Sequence, residues 1–279
     1  LSGENKASLT GTPSAKNGVY AFKVKIGSRV FDSYVTKDGK MLFPQGIDLA
    51  QAMQKKPEGQ DNNASAGSQQ KKMSCSDIKK ADNPQLDAFV VSLCPFGLQM
   101  QRILAEVVKE IPSLGKNIEV RYIGSISDGK ITSMHGEKEA NENLRQICLR
   151  EEQPKAFFPY LSCHIKKGDV DKCLKEAGVN ESKLDTCQKN PSRGLAYAQK
   201  DFDLDREYNI SGSPTLVLNG ERVSEFDFGG RTAEAVKTLL CCGFKTTPSV
   251  CKQKLDSAAA AVGFSEGYSK GSSGSGNCN

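Results

Sequence analysis

At 279 residues the chain has room for one large domain, or for a medium domain with a smaller companion. Charged residues at 25% and hydrophobic residues at 37% match an ordinary soluble protein, and a net charge of +5 without any run of five like charges excludes a nucleic-acid footprint. No apolar stretch approaches the roughly 18–20 residues of a membrane helix, and residues 1–14 carry no apolar signal core, so a secretory signal is either already removed or was never present.

Residues 1–16, rich in Ser, Thr, Gly and Lys, read as a flexible leader. Val19 to Ile26 and Arg29 to Val35 alternate apolar and polar side chains around a Gly27-Ser28 turn. A second turn, Lys37-Asp38-Gly39-Lys40, leads to Met41-Leu42-Phe43-Pro44, so residues 17–56 are predicted to form a small β-meander. Such a unit is too small to be comfortable alone. Residues 57–83 read as a linker, nearly devoid of apolar side chains over 57–74.

A second domain is predicted over 84–251. Leu86 to Leu93 is a buried-strand candidate that ends in Cys94-Pro95. Leu98, Arg102, Leu104, Val107, Val108 and Ile111 then recur at helical spacing up to Pro112, and Ile118 to Ile123 reads as the next strand. A long helical region from about Glu137 to Lys200 is punctuated by Pro154, Pro159 and Pro191. Thr215 to Leu218, Asn219-Gly220 and Arg222-Val223 carry a hairpin signature, and Gly229-Gly230-Arg231 precedes a helix over Thr232–Leu240. Residues 252–279 complete a helix around 248–261 and end in a Gly/Ser-rich tail.

Ten cysteines, at 75, 94, 148, 163, 173, 187, 241, 242, 251 and 278, are widely spaced and include no CxxC. His135 and His164 stand apart from any cysteine pair at zinc spacing, so metal is not expected. The pattern points to a disulfide framework made in an oxidising compartment. Sequons at Asn63, Asn180 and Asn209 agree with secretion.

The order strand, Cys-Pro, helix, strand, helical stretch, Ser-Pro-Thr, hairpin, helix is similar to that of the thioredoxin superfamily. The expected fold class is therefore α/β: a thioredoxin-like fold with a helical insertion over about 133–200, plus the N-terminal β-meander. Cys94-Pro95-Phe96-Gly97 stands where the superfamily keeps its redox motif, and Gly212-Ser213-Pro214-Thr215 resembles its cis-proline segment. Within the insertion, His135-Gly136, Glu139, Asn143 and Cys148 reproduce the spacing CQHGxxECxxNxxxxC of the gamma-interferon-inducible lysosomal thiol reductases, with Ser133 and Ala140 in place of two cysteines. Periplasmic DsbA-type proteins are the other resemblance.

The resemblance implies that Cys94 is the catalytic nucleophile, with Pro95, Phe96, Ser213, Pro214 and Thr215 binding a substrate peptide. A thiolate at a helix N-terminus is stabilised by the dipole and by unpaired N–H groups. The alternatives are a structural disulfide from Cys94 to Cys75 or Cys278, and a buried inert thiol. Structural pairs are expected as Cys148–Cys187, Cys163–Cys173 and Cys242–Cys251, the adjacent Cys241 leaving the last open. His135 is expected to bond locally at a helix start, Asn143 to hold backbone within the insertion, and His164 to lie at the surface.

The motif departs from both relatives because Gly97 replaces the resolving cysteine. Resolution would then fall to a small thiol, to a partner cysteine or to Cys75, and Gly97→Cys is expected to raise turnover. The expected function is an extracytoplasmic thiol–disulfide oxidoreductase without cofactor, acting on a cysteine-containing protein or small thiol. The rival is a redox-inactive binding or structural module, with the β-meander as a possible assembly surface.

Overall fold

The computed structural model describes residues 7–16, 18–26, 29–43 and 72–267, and these divide into two units at 69/70. The Gly27-Ser28 turn, Pro44 to residue 71 with Asn63, and the tail from 268 with Cys278 lie outside the described residues.

The first unit is an antiparallel sheet in the order β1 (Ala7–Lys16), β2 (Val19–Ile26), β3 (Arg29–Thr36) and β4 (Leu42–Phe43). Here the expected leader is corrected. Residues 7–16 pair with β2, from Ala7↔Ile26 to Lys16↔Val19, with an irregularity between Thr10 and Ser14. Polar strands of this kind are stabilised by ladder bonds to a neighbour, a contribution that their composition does not advertise. The register places Leu9, Tyr20, Phe22, Val24 and Val35 on one face. Leu9 is 64% exposed. The turn after β3 closes with Gly39 N–H donating to Thr36 O at 2.9 Å.

The second unit is built on a sheet in the order β10-β9-β5-β6. Strand β5 (Leu86–Val90) pairs in parallel with β6 (Ile118–Tyr122) and antiparallel with β9 (Thr215–Leu218), which forms a hairpin with β10 (Glu221–Val223). All five residues of β5 are buried, as a central strand covered on both faces requires. Asn219 and Gly220 have φ of +54° and +83°, the pair of positive values that a two-residue hairpin turn of primed type needs.

Helix α1 (Pro95–Glu110) connects the parallel strands. Pro95 is pre-set for the first turn, and Pro112 follows the end. Leu98, Met100, Ile103, Leu104 and Val107 are buried along it. Burying each such side chain contributes on the order of 2 kcal/mol.

After β6 comes a small hairpin that the sequence reading did not anticipate, β7 (Ser125–Ser127) with β8 (Lys130–Thr132). The helical insertion follows as α2 (Glu137–Glu152), α3 (Pro154–Lys167), α4 (Val170–Glu176), α5 (Glu181–Lys189) and, after a π-turn at Pro191–Leu195, α6 (Ala196–Glu207). Asp169 and Asn180 cap α4 and α5 by accepting from Lys172 N and Lys183 N. Cys148–Cys187 links α2 to α5, and Cys163–Cys173 links α3 to α4.

Two further expectations are corrected. Residues 72–83 are part of the second unit and not linker: Cys75 bonds Cys242, Ile78 is buried, and Ala81 exchanges backbone bonds with Gly243 O (2.7 Å) and Lys245 N (2.9 Å). The helix expected around 248–261 shrinks to one turn at Ser249–Lys252, because Cys251 is tied to Cys241 at the end of α7 (Ala233–Cys242). The chain beyond it runs as an irregular strap whose carbonyls are claimed by α1 side chains.

Candidate functional site

Cys94 is the N-cap of α1, with extended φ/ψ of −62° and 128°, and its side chain is fully buried. Its Sγ lies 3.6 Å from Ser213 O, and the Ser213–Pro214 peptide is cis. Thr215 begins β9 opposite Phe89 of β5, and its Oγ1 donates to Gly212 O at 2.7 Å. The two proline-marked segments therefore face each other at one end of the sheet. That decides the architecture.

The fold is thioredoxin-like. No protein-family model matches the sequence, and no curated protein is found to be similar. Similar solved structures include ScsC of Proteus mirabilis, at 20% identity and a TM-score of 0.38, matched over 52% of this chain and 63% of that one, which is less than two-thirds of its length. MdbA of Actinomyces oris, a thiol-disulfide oxidoreductase, matches at 15% identity over 60% of this chain and 83% of its own, with a TM-score of 0.41. DsbA of Proteus mirabilis, solved with a non-covalently bound peptide, matches at 13% over 58% and 89%, also at 0.41.

In this thioredoxin-like frame the backbone before Cys94 is held residue by residue. Val91 N–H donates to Ser213 Oγ (3.0 Å), Ser92 N–H to Asn143 Oδ1 (2.9 Å), and Leu93 N–H to Glu139 Oε2 (3.1 Å). Glu139 and Asn143 are fully buried on α2. Glu139 also accepts from Ser133 Oγ (2.7 Å) and His135 N (3.1 Å), its Oε2 lies 2.8 Å from His135 Nδ1, and Asn143 Nδ2 donates to Ser133 Oγ (3.1 Å). Thus Ser133, His135, Glu139 and Asn143 form one network. His135 bonds locally, but Asn143 reaches outside the insertion to the loop that presents Cys94. Its expected role within the insertion is corrected on that point.

The other predicted site residues are placed as follows. Pro95 is exposed, and its carbonyl accepts from Gly263 N–H at 2.8 Å. Phe96 is half-buried beneath the guanidinium of Arg231, 5.2 Å from the ring centre, and Arg231 is fixed by Glu225 Oε1 (2.9 Å) and Gln99 Oε1 (3.1 Å). Arg231 was visible in the sequence only as a residue before a helix.

Gly97 is closed to a side chain. A Cβ there would run into Val91 O and stand 2.8 Å from Ser213 Oγ and 3.4 Å from Cys94 Cβ. The expectation that Gly97→Cys restores turnover is therefore corrected: position 97 is where the helix packs on the strand end, and a backbone oxygen occupies the space.

The cysteines require two corrections as well. Cys251 pairs with Cys241, not Cys242. Cys75 pairs with Cys242, which removes it as a resolving thiol for Cys94. Cys94 is itself disulfide-bonded, and there is no free cysteine among the described residues.

His164 is not at the surface. It is 1% exposed, stacked on Tyr160 at 5.6 Å, edged by Phe264 at 5.5 Å, and 3.5 Å from Glu142 Oε1. Burial pushes its pKa down, against the pull of Glu142. With Leu93, Arg145, Lys167 and Phe264 it lines a cavity of about 290 Å³ beside the Cys94 loop.

Behind the sheet, Asp201 is fully buried and bridges Arg150 (2.8 Å) and Arg121 (3.1 Å) while accepting from Tyr122 N–H (3.1 Å). Nearby Asp205 accepts from Gly124 N–H at 3.3 Å, its Oδ1 has no hydrogen-bond partner among the described residues, and burial pushes its pKa up to about 8. No described helix is long and apolar enough to cross a membrane.

Proposed function

We propose that this protein exchanges thiols and disulfides through Cys94, outside the cytoplasm, with a cysteine-containing protein or small thiol as its partner. The observation that carries this reading is the sulfur of Cys94 at the N-terminus of α1, 3.6 Å from the carbonyl that precedes cis-Pro214. A thiolate at that place meets the positive end of the helix dipole and the first-turn N–H groups, which suits it as nucleophile and leaving group. The bonds from Ser213, Asn143 and Glu139 to residues 91–93 support the same reading, because they fix the loop that aims the sulfur. Extended peptide substrates would lie along Ser213 to Thr215, with Pro95 and Phe96 opposite. The test is reduction of insulin or isomerisation of scrambled disulfides by the full chain and by Cys94→Ser. Loss of activity in the variant is expected, and equal rates would overturn the proposal.

A second reading is favoured by specific observations. Cys94 is fully buried and bonded, and Gly97 excludes a neighbouring cysteine. A scaffold that keeps the fold without the chemistry, with the N-terminal sheet as its assembly surface, would have these features. Alkylation under native conditions after mild reduction separates the two. Cys94 modified ahead of the other cysteines supports exchange, and a Cys94 that resists until the domain unfolds supports the scaffold.

A further inference from the structure

The cavity of about 290 Å³ beside the Cys94 loop has the size of a small-molecule site. Leu93, Val170 and Phe264 give it an apolar wall, and Lys138, Arg145 and Lys167 bring three cationic side chains to it. The carboxylates nearby are already engaged. Buried Glu142 accepts from Arg145, from Gln146 Nε2 (2.7 Å) and from Tyr160 Oη (2.8 Å), and Glu266 of the strap pairs with Lys167 at 3.0 Å. Lys138 has no ion pair among the described residues.

One polar group in the wall is unanswered. His164 is 1% exposed, and its Nδ1 has no hydrogen-bond partner among the described residues. The other ring nitrogen faces Glu142 Oε1 at 3.5 Å, so a proton there is the one the carboxylate favours, and Nδ1 is left as a bare lone pair. A buried nitrogen of this kind, in a cavity with cationic and apolar walls, is half of an interaction.

We infer that the cavity binds a small organic carboxylate, held between Lys138, Arg145 and the Nδ1–H of a protonated His164, with its short apolar body against Leu93, Val170 and Phe264. The site needs no chemistry at Cys94. Binding takes up one proton from solvent: the imidazolium donates through one nitrogen to Glu142 and through the other to the ligand. In the empty cavity burial, and then the charges of Arg145 and Lys138, hold the His164 pKa down against the pull of Glu142. The charged and titratable groups around the ring are Lys138, Glu142 and Arg145 from α2, Tyr160 and Lys167 from α3, and Glu266 from the strap, while α4 and the Cys94 loop offer uncharged Val170 and Leu93. An incoming negative charge reverses the balance at His164, so affinity rises as pH falls.

Calorimetric titration of the full chain with butyrate tests this. Saturable binding is expected, tightening by up to about tenfold per pH unit between about pH 7.5 and about pH 5.5. The ring nitrogens of His164, followed by NMR, should shift to the imidazolium position as butyrate saturates. Butyramide, of the same shape without the charge, should not bind. Lys138→Ala, an exposed change, should weaken butyrate at least about threefold. His164→Phe keeps a ring against Tyr160 and should lose the gain at low pH, which also separates that gain from titration of butyrate itself. Inorganic phosphate binding as tightly as butyrate would overturn the carboxylate assignment. No saturable binding, or a pH profile unchanged in His164→Phe, would overturn the inference.

Discussion

Two segments grip the start of α1, and they do so with opposite polarity. From the insertion, Glu139 and Asn143 offer side-chain oxygens to backbone N–H groups of residues 92 and 93. From the C-terminal strap, backbone carbonyls receive side-chain N–H groups of Gln99 and Arg102. The first grip specifies the path of the loop that carries Cys94. The second specifies where a distant piece of chain must lie, and three of its four side-chain bonds come from one guanidinium. Loss of one side chain from the loop leaves its partner in place, whereas loss of Arg102 leaves Gln99 as the α1 side chain that donates to the strap.

Among substitutions at the two grips the largest effect should come from Arg102→Ala, at about 3–4 kcal/mol, since carbonyls of Ala261, Gly263 and Ser265 lose their guanidinium donor together and Ile165 O keeps only Ser265 N–H. Urea unfolding should show the loss, and limited proteolysis should cut the variant first within 258–267. A cut elsewhere would break the contrast. Next comes Gly97→Cys, which forces atoms against Val91 O and should cost about 3 kcal/mol by overpacking without raising turnover. A variant as stable and more active would show that the junction yields. Glu139→Gln keeps the shape and one acceptor oxygen, so about 1–2 kcal/mol is expected, with a Cys94 loop that exchanges its amide hydrogens faster.

A further expectation is a pH dependence away from both grips. The folded-state pKa of Asp205, near 8, exceeds its usual value of 3.8, so the folded protein holds a proton that the unfolded chain gives up. Stability from this group is present at low pH and falls as pH rises between about 4 and 8. Asp205→Asn removes the fall. Its advantage in melting temperature over the wild type should grow from pH 5 to pH 8 and then level off, and a constant difference would show that Asp205 does not titrate in this window.

Much of the α/β core was legible because its signals are local: the all-apolar run at Leu86, the helical spacing after Pro95, the Asn219-Gly220 turn. The Ser213–Pro214 segment was legible from its place before a strand. The grips were not, because each is made by residues far apart in sequence. Arg102 was read as one more position on a helix, and only the strap 159 residues onward reveals what it holds. His164 was read as surface for the same reason, since the ring that covers it is Phe264. Gly97 was read as a lost cysteine, because nothing local to the motif shows that Val91 O fills the space. Residues 7–16 were read as leader because a polar strand owes its order to the partner across the ladder.

The neighbours Cys241 and Cys242 at the end of α7 carry one more consequence. Successive side chains on a helix point about 100° apart, so the two sulfurs look in different directions from one turn. Cys242 meets the N-terminal edge of the domain at Cys75, and Cys241 meets the chain after the helix at Cys251. Exchanging the two partners gives an isomer of identical mass and identical bond count. To form it, α7 would have to rotate by about one residue step, carrying Val236, Leu239 and Leu240, all fully buried, off the core. The apolar face of the helix thus acts as the proofreader of the pairing, rejecting a mispaired isomer that sulfur chemistry alone would accept.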